Sequence, residues 1–263
     1  MYFEIKKYND NLYQLKDKLG VLVTLVIGRD KALLVDTAYG IGDLYKEVRN
    51  ITDKELVVVN SHGHMDHSCG NYQFKEVYIH PKDIELCQKH NSKETRLVNL
   101  QRVTFTLPDD FNKDSYLCAG CGQLKEINYG DVIDLGGLKC EIINLEGHTK
   151  GSIGFYFKNE KLLITSDAIC PFVWMFLEES TPLHVFKNTV KRTLKLDFEY
   201  FLVGHGAFLY PKERMYDFDH VYDNIDISKA TKMSYFGFEE LNSYRFVLDG
   251  DESCGIVFDK NKL

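Results

Sequence analysis

The stretch Asn60-Ser61-His62-Gly63-His64-Met65-Asp66-His67 carries four potential metal ligands within six residues. It follows the apolar run from Glu55 to Val59, which predicts a buried strand that stops at the histidines. Neutral imidazole and carboxylate are ligands that Zn²⁺ accepts, and Fe and Mn accept them as well. The sequence therefore predicts a metal site where this strand ends.

The spacing inside the stretch indicates more than one metal. His62 and His64 stand two residues apart, so in an extended loop they project the same way and can share a metal. Asp66 and His67 are adjacent, point away from that pair and can serve a second metal. Gly63 lets the backbone bend between the ligands without a Cβ clash.

Further ligands must come from elsewhere, because a catalytic metal usually keeps about three protein ligands and leaves room for water. Each remaining candidate stands where a predicted strand ends. The candidate segments are Glu146-Gly147-His148-Thr149, Thr165-Ser166-Asp167 and Val203-Gly204-His205-Gly206. An isolated histidine of this kind is more often an ordinary residue. These three segments together with the stretch from Asn60 to His67, however, predict a dinuclear centre.

These motifs, in their order along the chain, resemble those of the metallo-β-lactamase superfamily from Val21 to about Gly206. The matching motifs are Asp36-Thr37, His62-x-His64-x-Asp66-His67, Gly147-His148-Thr149 with Gly151-Ser152, Asp167 and His205. The resemblance implies a mixed α/β (α+β) fold, a four-layer αββα sandwich with the site at one edge between the two sheets.

The resemblance also implies how the ligands divide between two divalent metal ions. The implied sets are His62, His64 and His148 on one metal, Asp66, His67 and His205 on the other, and Asp167 bridging both. Asp36 would orient ligands without binding metal itself. Zn²⁺ is the expected metal, with Fe and Mn as alternatives.

Two neighbouring cations lower the pKa of a shared water. The ligand set therefore predicts a metal-dependent hydrolase that uses a metal-bridging hydroxide on an ester, thioester, lactone or related bond of a small molecule. Asp66 is the predicted catalytic residue, which orients the hydroxide and afterwards accepts its proton. The alternative is an iron-containing redox or sensing protein of the same fold without hydrolytic turnover.

Branches of the family differ at single positions. The ligand set is closest to that of glyoxalase II-like and lactonase-like members. Antibiotic-cleaving members usually carry cysteine where Asp167 stands, and homoserine-lactone hydrolases carry tyrosine where Cys170 stands. A β-lactamase is therefore a weaker prediction than a small-molecule hydrolase. A phosphodiesterase or nuclease is weaker as well, because the RNA-processing branch shares the ligand set but has basic surfaces that this acidic chain does not indicate.

Composition limits the remaining classes. The chain has 263 residues, 44% of them hydrophobic, and only five prolines, which predicts a single domain over residues 1–263. An insertion is expected at about residues 92–130 and a C-terminal helix and hairpin extension at about 211–263. The net charge of −7 argues against a nucleic-acid partner. The charged N-terminus and seven cysteines predict a cytoplasmic protein without membrane contact; the sequence leaves a homodimer open.

Several other features have both a functional and an ordinary interpretation. Phe172 and Trp174, which follow the candidate ligand Asp167, are predicted to contact substrate, with core packing or a dimer contact as the alternative. Cys118 and Cys121 have the spacing of a redox or zinc pair, but no second pair accompanies them. His90 has no ligand beside it in the sequence and is expected to be an ordinary residue.

Secondary structure is predicted only coarsely. Residues 21–28 and 31–37 predict a strand hairpin, and residues 184–196 and 218–232 predict helices. The region from His90 to about Gly130 is expected to be less regular, because residues 106–126 within it show no clear period.

Overall fold

The computed structural model describes all 263 residues, and the chain divides into two compact units, Met1–Ile142 and Ile143–Leu263. Each unit has an apolar core of its own. The prediction of a single domain with an insertion and an extension stays a prediction. None of the helices is long and apolar enough to cross a membrane.

The first unit is built on a seven-stranded sheet whose strands lie side by side in chain order. The strands are β1 (Glu4–Lys7), β2 (Leu12–Lys16), β3 (Leu22–Ile27), β4 (Lys31–Val35), β5 (Glu55–Val59), β6 (Val77–Ile79) and β7 (Leu124–Glu126). Strands β1 to β4 pair antiparallel, and β4 to β7 pair parallel. The predicted hairpin is β3 and β4, whose side chains are almost all buried. A further strand, β8 (Val132–Asp134), pairs antiparallel with β9 (Lys139–Asn144).

The helices of the first unit are α1 (Leu44–Ile51), α2 (Met65–Ser68), α3 (Ile84–His90), α4 (Lys93–Gln101) and α5 (Lys113–Cys118). Helix α1 forms because Leu44 and Val48 share one buried face, and the Asp43 carboxylate caps its first turn by accepting from the backbone N–H of Lys46. Short 3-10 turns lie at Asn71–Gln73 and Pro81–Asp83.

The region expected to be less regular contains helix α4, which the sequence did not predict. The buried face of α4 is polar, since its buried residues are Arg96 and Asn99. The helix therefore lacks the apolar periodicity from which a helix is predicted. The Arg96 guanidinium donates to the carbonyl oxygens of Cys69 and Gly120 and to the Asn91 side chain, at 2.7–2.9 Å. The tertiary structure therefore stabilises α4 through a buried cation.

The second unit contains two groups of paired strands. In the first group β10 (Ile153–Phe157), β11 (Leu162–Ser166), β13 (Tyr200–Val203) and β14 (Tyr210–Pro211) lie in the order β14-β13-β11-β10. In the second, β12 (Phe172–Met175), β15 (Thr231–Met233), β16 (Ser243–Phe246) and β17 (Gly255–Phe258) lie in the order β12-β17-β16-β15. Strands β16 and β17 confirm the C-terminal hairpin, and Asp249 and Gly250 between them have positive φ.

The helices of the second unit are α6 (Leu183–Thr193) and α7 (Glu213–Asp223), with 3-10 turns at Ile227–Lys229 and Lys260–Lys262. Helix α6 confirms the prediction over residues 184–196. The helix predicted at 218–232 was placed too late in the chain, because α7 already begins at Glu213 and buries Met215 one turn before Phe218.

Candidate metal centre

Parallel pairing brings the first ligand segment to the end of the sheet. Val35 of β4 lies opposite Val59 of β5, so the residues that follow these two strands emerge at the same edge. Asp36 follows β4 directly, and the histidine loop follows β5. Asp36 has a φ of 69°, a left-handed conformation that aspartate tolerates better than most residues.

Asp36 organises this loop through its buried carboxylate. Its Oδ1 accepts from the backbone N–H of Ser61 at 2.7 Å, and its Oδ2 accepts from the Ser61 hydroxyl at 2.8 Å. The Nδ1 of His67 lies 2.8 Å from the same Oδ2. Asp36 thus contacts one candidate ligand directly and Ser61, the neighbour of another, as well; its orienting role toward a metal stays a prediction.

These contacts fix the tautomers of two candidate ligands. Because a carboxylate can only accept, His67 must carry its proton on Nδ1. The Ser61 hydroxyl is used toward Asp36, so its oxygen accepts from Nδ1 of His62, 2.9 Å away. In both rings Nε2 is therefore the nitrogen with the lone pair, as a metal ligand requires.

The candidate ligands of the first unit lie close to one another. The ligand atoms of His62 and His64 are within 4.8 Å, and the rings form an edge contact with centroids 4.7 Å apart. Nε2 of His67 lies 3.6 Å from Oδ2 of Asp66. His90 stacks on His64 with centroids 5.1 Å apart, so the expectation that His90 is an ordinary residue overlooked this neighbour. No signal in the sequence connects residues 26 positions apart.

A buried polar network holds the backbone of the loop in place. The carbonyl oxygen of His67 accepts from the Asn60 side chain at 2.8 Å and from the Thr37 backbone N–H at 2.9 Å. Asn71 joins Asn60 and Thr37 through its side-chain amide. A Cβ on Gly70 would lie 2.0 Å from the carbonyl oxygen of Thr37, so only glycine fits there. The loop is thus rigid around its ligands.

In the second unit, strands β11 and β13 run parallel, with Ser166 opposite Val203. Asp167 and His205 follow these strand ends and therefore emerge at the same edge. Oδ2 of Asp167 lies 3.5 Å from Nε2 of His205. Ser166, which directly precedes Asp167, has a φ of 47°, so the backbone takes a left-handed conformation at the end of β11.

His148 lies in a tight loop after β9. Its carbonyl oxygen accepts from the Ser180 hydroxyl at 2.8 Å, and its Nδ1 lies 2.7 Å from the carbonyl oxygen of Trp174. A carbonyl only accepts, so His148 is protonated on Nδ1, and its Nε2, 4.0 Å from Oδ2 of Asp167, carries the lone pair. Gly147 is required here, since a Cβ would lie 2.6 Å from the ring of Phe186.

Each unit therefore brings its own predicted ligands together. His62, His64, Asp66 and His67 form a cluster in the first unit, and His148, Asp167 and His205 form one in the second. The division of the seven residues between two metals stays a prediction. The roles of Ser61 and of the Trp174 carbonyl as fixed acceptors for candidate ligand histidines were not predicted from the sequence.

The other predicted features are placed as follows. Phe172 and Trp174 lie on one half-buried face of β12, and their contact with substrate stays a prediction. Cys170 is buried, and burial raises the pKa of its thiol well above the ordinary value. Cys118 is exposed, whereas Cys121 is half-buried, and a hydrogen bond with the Cys87 thiol lowers the pKa of Cys121 to about 6. The Cys118–Cys121 spacing therefore contains two thiols in different environments.

Comparison with known families decides what kind of protein holds these clusters. A profile described as the Metallo-beta-lactamase superfamily matches residues 17–205. The chain belongs to the metallo-β-lactamase superfamily. The matched region contains Asp36 and all seven candidate ligands.

Two curated relatives are similar to part of the chain. Human acyl-coenzyme A thioesterase MBLAC2 is 26% identical over 160 residues, a match that covers 56% of this chain and 57% of that protein. Hydroxyacylglutathione hydrolase GloC of Haemophilus influenzae is 27% identical over 138 residues, covering 49% of this chain and 58% of that protein. The matches thus span less than two thirds of the length of these relatives.

Solved structures show the same fold at low identity. The DIM-1 metallo-β-lactamase exposed to ceftazidime has a TM-score of 0.59 at 14% identity, over 85% of this chain and 97% of that chain. TTHA1623 in a di-iron-bound form has a TM-score of 0.55 at 19% identity, over 74% of this chain and 92% of that chain. The predicted metallo-β-lactamase fold is confirmed.

Proposed function

We propose that this protein is a metal-dependent hydrolase of acyl thioesters. The observation that carries the proposal is the fixed tautomer of His62, His67 and His148. In each ring Nδ1 donates to a carbonyl, hydroxyl or carboxylate oxygen, which leaves the lone pair on Nε2. Purely structural histidines have no need of three such matched orientations.

The proposed division of ligands between two metal ions is the one that the family resemblance implies. His62, His64 and His148 would hold one metal, Asp66, His67 and His205 would hold the other, and Asp167 would bridge both. The donor chemistry fits divalent metal, since three histidines, or histidines with carboxylates, are the usual ligands of catalytic zinc. Iron and manganese accept the same donors, and we take zinc as the metal to test first.

The bound metals would supply Lewis-acid activation of the thioester carbonyl and of water. The chain's own contribution is orientation and proton transfer. The Asp66 carboxylate, whose side chain is 20% exposed, can accept a hydrogen bond from the attacking water and take up its proton. His205, 38% exposed, is the more open of the two ligands beside Asp167, so substrate would approach from its side.

The substrate class is proposed from the relatives and from the site. The two curated relatives are named as a hydrolase of acyl-coenzyme A and a hydrolase of hydroxyacylglutathione, and both names describe an acyl group carried by a thiol. The activation barrier for attack at the carbonyl is lower for a thioester than for an amide, so an activated water is a sufficient nucleophile. The substrate is therefore proposed to be a small molecule with a polar thiol carrier.

The test is hydrolysis of acetyl-coenzyme A, decanoyl-coenzyme A and S-lactoylglutathione by zinc-loaded protein, and the rate is measured as the release of free thiol. Asp66→Asn should reduce the rate by about 100-fold or more, with metal content measured alongside. Asp43→Asn is the matched control, because Asp43 only caps α1 and should leave the rate unchanged. Failure to cleave any of the three thioesters, or full activity in Asp66→Asn, would contradict the proposal.

A further inference from the structure

An aromatic cluster lies against strand β12 in the second unit. We call it the aromatic wall, and its members are the aromatic residues Trp174, Phe176, Tyr235 and Phe238 together with the aliphatic Leu241. The Trp174 ring centroid lies 4.7 Å from that of Tyr235, 5.2 Å from that of Phe176 and 5.9 Å from that of Phe238. Phe176 is buried beneath the cluster, whereas the other members are half-buried. The wall thus presents an apolar surface that is only partly covered.

The wall exists because β12 is an edge strand with two different faces. Val173 and Met175 point into the core and are fully buried, whereas Phe172 and Trp174 alternate with them and stay half-buried. Strand β12 pairs only with β17, on one side. The outward face therefore consists of aromatic rings rather than the polar residues usual on a solvated face.

The wall is joined directly to the candidate metal centre. The carbonyl oxygen of Trp174 accepts from Nδ1 of His148, at 2.7 Å. A single residue thus contributes both the fixed partner of a candidate ligand and the central ring of the wall. The Trp174 ring is therefore only a few covalent bonds away from the partner of His148, within the length of an extended acyl chain from that ligand.

A charged pair lies beside Phe172, which precedes Trp174 by two residues on the same face of β12. The Arg245 guanidinium lies 4.7 Å from the centre of the Phe172 ring and pairs with Glu252. None of the five members of the wall carries a charge. The indole N–H of Trp174 and the hydroxyl of Tyr235 are the only polar side-chain groups of the wall. A ligand portion that covers the ring faces is therefore favoured when it is apolar, since those faces offer a polar group no hydrogen bond.

We propose that the aromatic wall binds the acyl chain of the thioester substrate, and that the enzyme prefers extended aliphatic acyl groups over acetyl. This inference rests on the proposed function. The thiol carriers of such substrates are polar, so the acyl chain is the only apolar part available to cover the wall. Each methylene that reaches it should tighten binding roughly fourfold.

The experiment uses the fluorescence of Trp174, the single tryptophan of the chain. The zinc-loaded protein is titrated with decanoate and, separately, with acetate. Decanoate should give a saturable change in fluorescence and acetate none. The two acids share a carboxylate, so a difference between them reports the apolar chain alone.

Variants then locate the binding surface. Phe238→Ala, which keeps the tryptophan, should weaken decanoate binding at least about fivefold, and Tyr235→Ala serves as a second variant if the first does not fold. Tyr216→Ala is the control, because Tyr216 is 53% exposed on α7 and lies outside the wall. No saturable change, an equal effect in all variants, or a wall covered by a second copy in sedimentation experiments would overturn the inference.

The outcomes separate this inference from the proposed function. Decanoate is not hydrolysed, so its binding does not depend on turnover. If decanoate binds as expected but no thioester is cleaved, the proposed hydrolase function fails. If thioesters are cleaved with the same kcat/KM for acetyl and decanoyl groups, and decanoate does not bind, the role of the wall fails and the hydrolase function stands.

Discussion

Replacing Asp36 with asparagine removes the anchor of the first ligand cluster while changing almost nothing else. Asparagine has the same shape and also tolerates the positive φ of 69° at this position, so the backbone is not strained. The aspartate accepts from three donors, the backbone N–H and hydroxyl of Ser61 and Nδ1 of His67. An asparagine amide has one oxygen that accepts and one NH₂ group that donates. In either orientation of the amide, the NH₂ group therefore faces a donor, either the backbone N–H of Ser61 or Nδ1 of His67.

The magnitude follows from this mismatch. If the amide nitrogen faces His67, the ring avoids two opposed N–H groups by moving its proton to Nε2, the atom that would bind metal. Loss of such an orienting contact typically costs 10-fold to 100-fold in metal affinity, which is about 1.4–2.8 kcal/mol. A charge-assisted hydrogen bond is also lost, so the free energy of unfolding should fall by about 2 kcal/mol.

The assay is a zinc titration of metal-free protein against a chelator of known affinity, with a urea melt of the same samples. Asp43→Asn is the matched control, because asparagine caps a helix as well as aspartate does and Asp43 contacts no candidate ligand. Unchanged zinc affinity in Asp36→Asn, or equal losses of affinity in both variants, would mean that Asp36 does not set the tautomer of His67.

Three further predictions concern stability and the thiols. Arg96→Met should lower the free energy of unfolding by about 3 kcal/mol in urea melts, since buried charge-assisted hydrogen bonds are lost. The control Arg29→Met, at an exposed position, should lower it by less than about 1 kcal/mol. Equal losses in the two variants would contradict this prediction. Because its pKa is lowered to about 6, Cys121 is mainly thiolate above that pH and should react rapidly with iodoacetamide at pH 7, and Cys87→Ala should move the midpoint upward; an unchanged midpoint would argue against the Cys87 contact. Removing metal with a chelator should lower Tm in calorimetry, consistent with about 2.7 kcal/mol lost from a protein held at 100-fold above its metal Kd, and zinc should restore it; a Tm insensitive to both would mean that no metal is bound.

The candidate ligands could be predicted from the sequence because each stands where an apolar strand ends. The pattern of ligand types at strand ends is local, and it carries the family resemblance that the profile confirms. The acceptors that fix the histidines were harder to predict. The partner of His148 is a backbone carbonyl 26 residues away, and any residue type at position 174 would supply it.

Helix α4 could not be predicted for a different reason. Its buried side chains, Arg96 and Asn99, are polar, and sequence patterns detect helices by their apolar faces. The hydrogen bonds that make this burial favourable come from Cys69, Asn91 and Gly120, which lie near Arg96 only in the folded unit. The burial of this cation depends on tertiary contacts, so no local sequence pattern predicts it.

The most direct test of the dinuclear hydrolase is the metal content of purified protein by elemental mass spectrometry, with His62→Ala and His205→Ala measured alongside. We expect about two metal ions per chain in the wild type and about one in each variant, because each substitution removes a ligand of a different metal. One metal or none in the wild type, unchanged by either substitution, would contradict the ligand assignment and the hydrolase function with it.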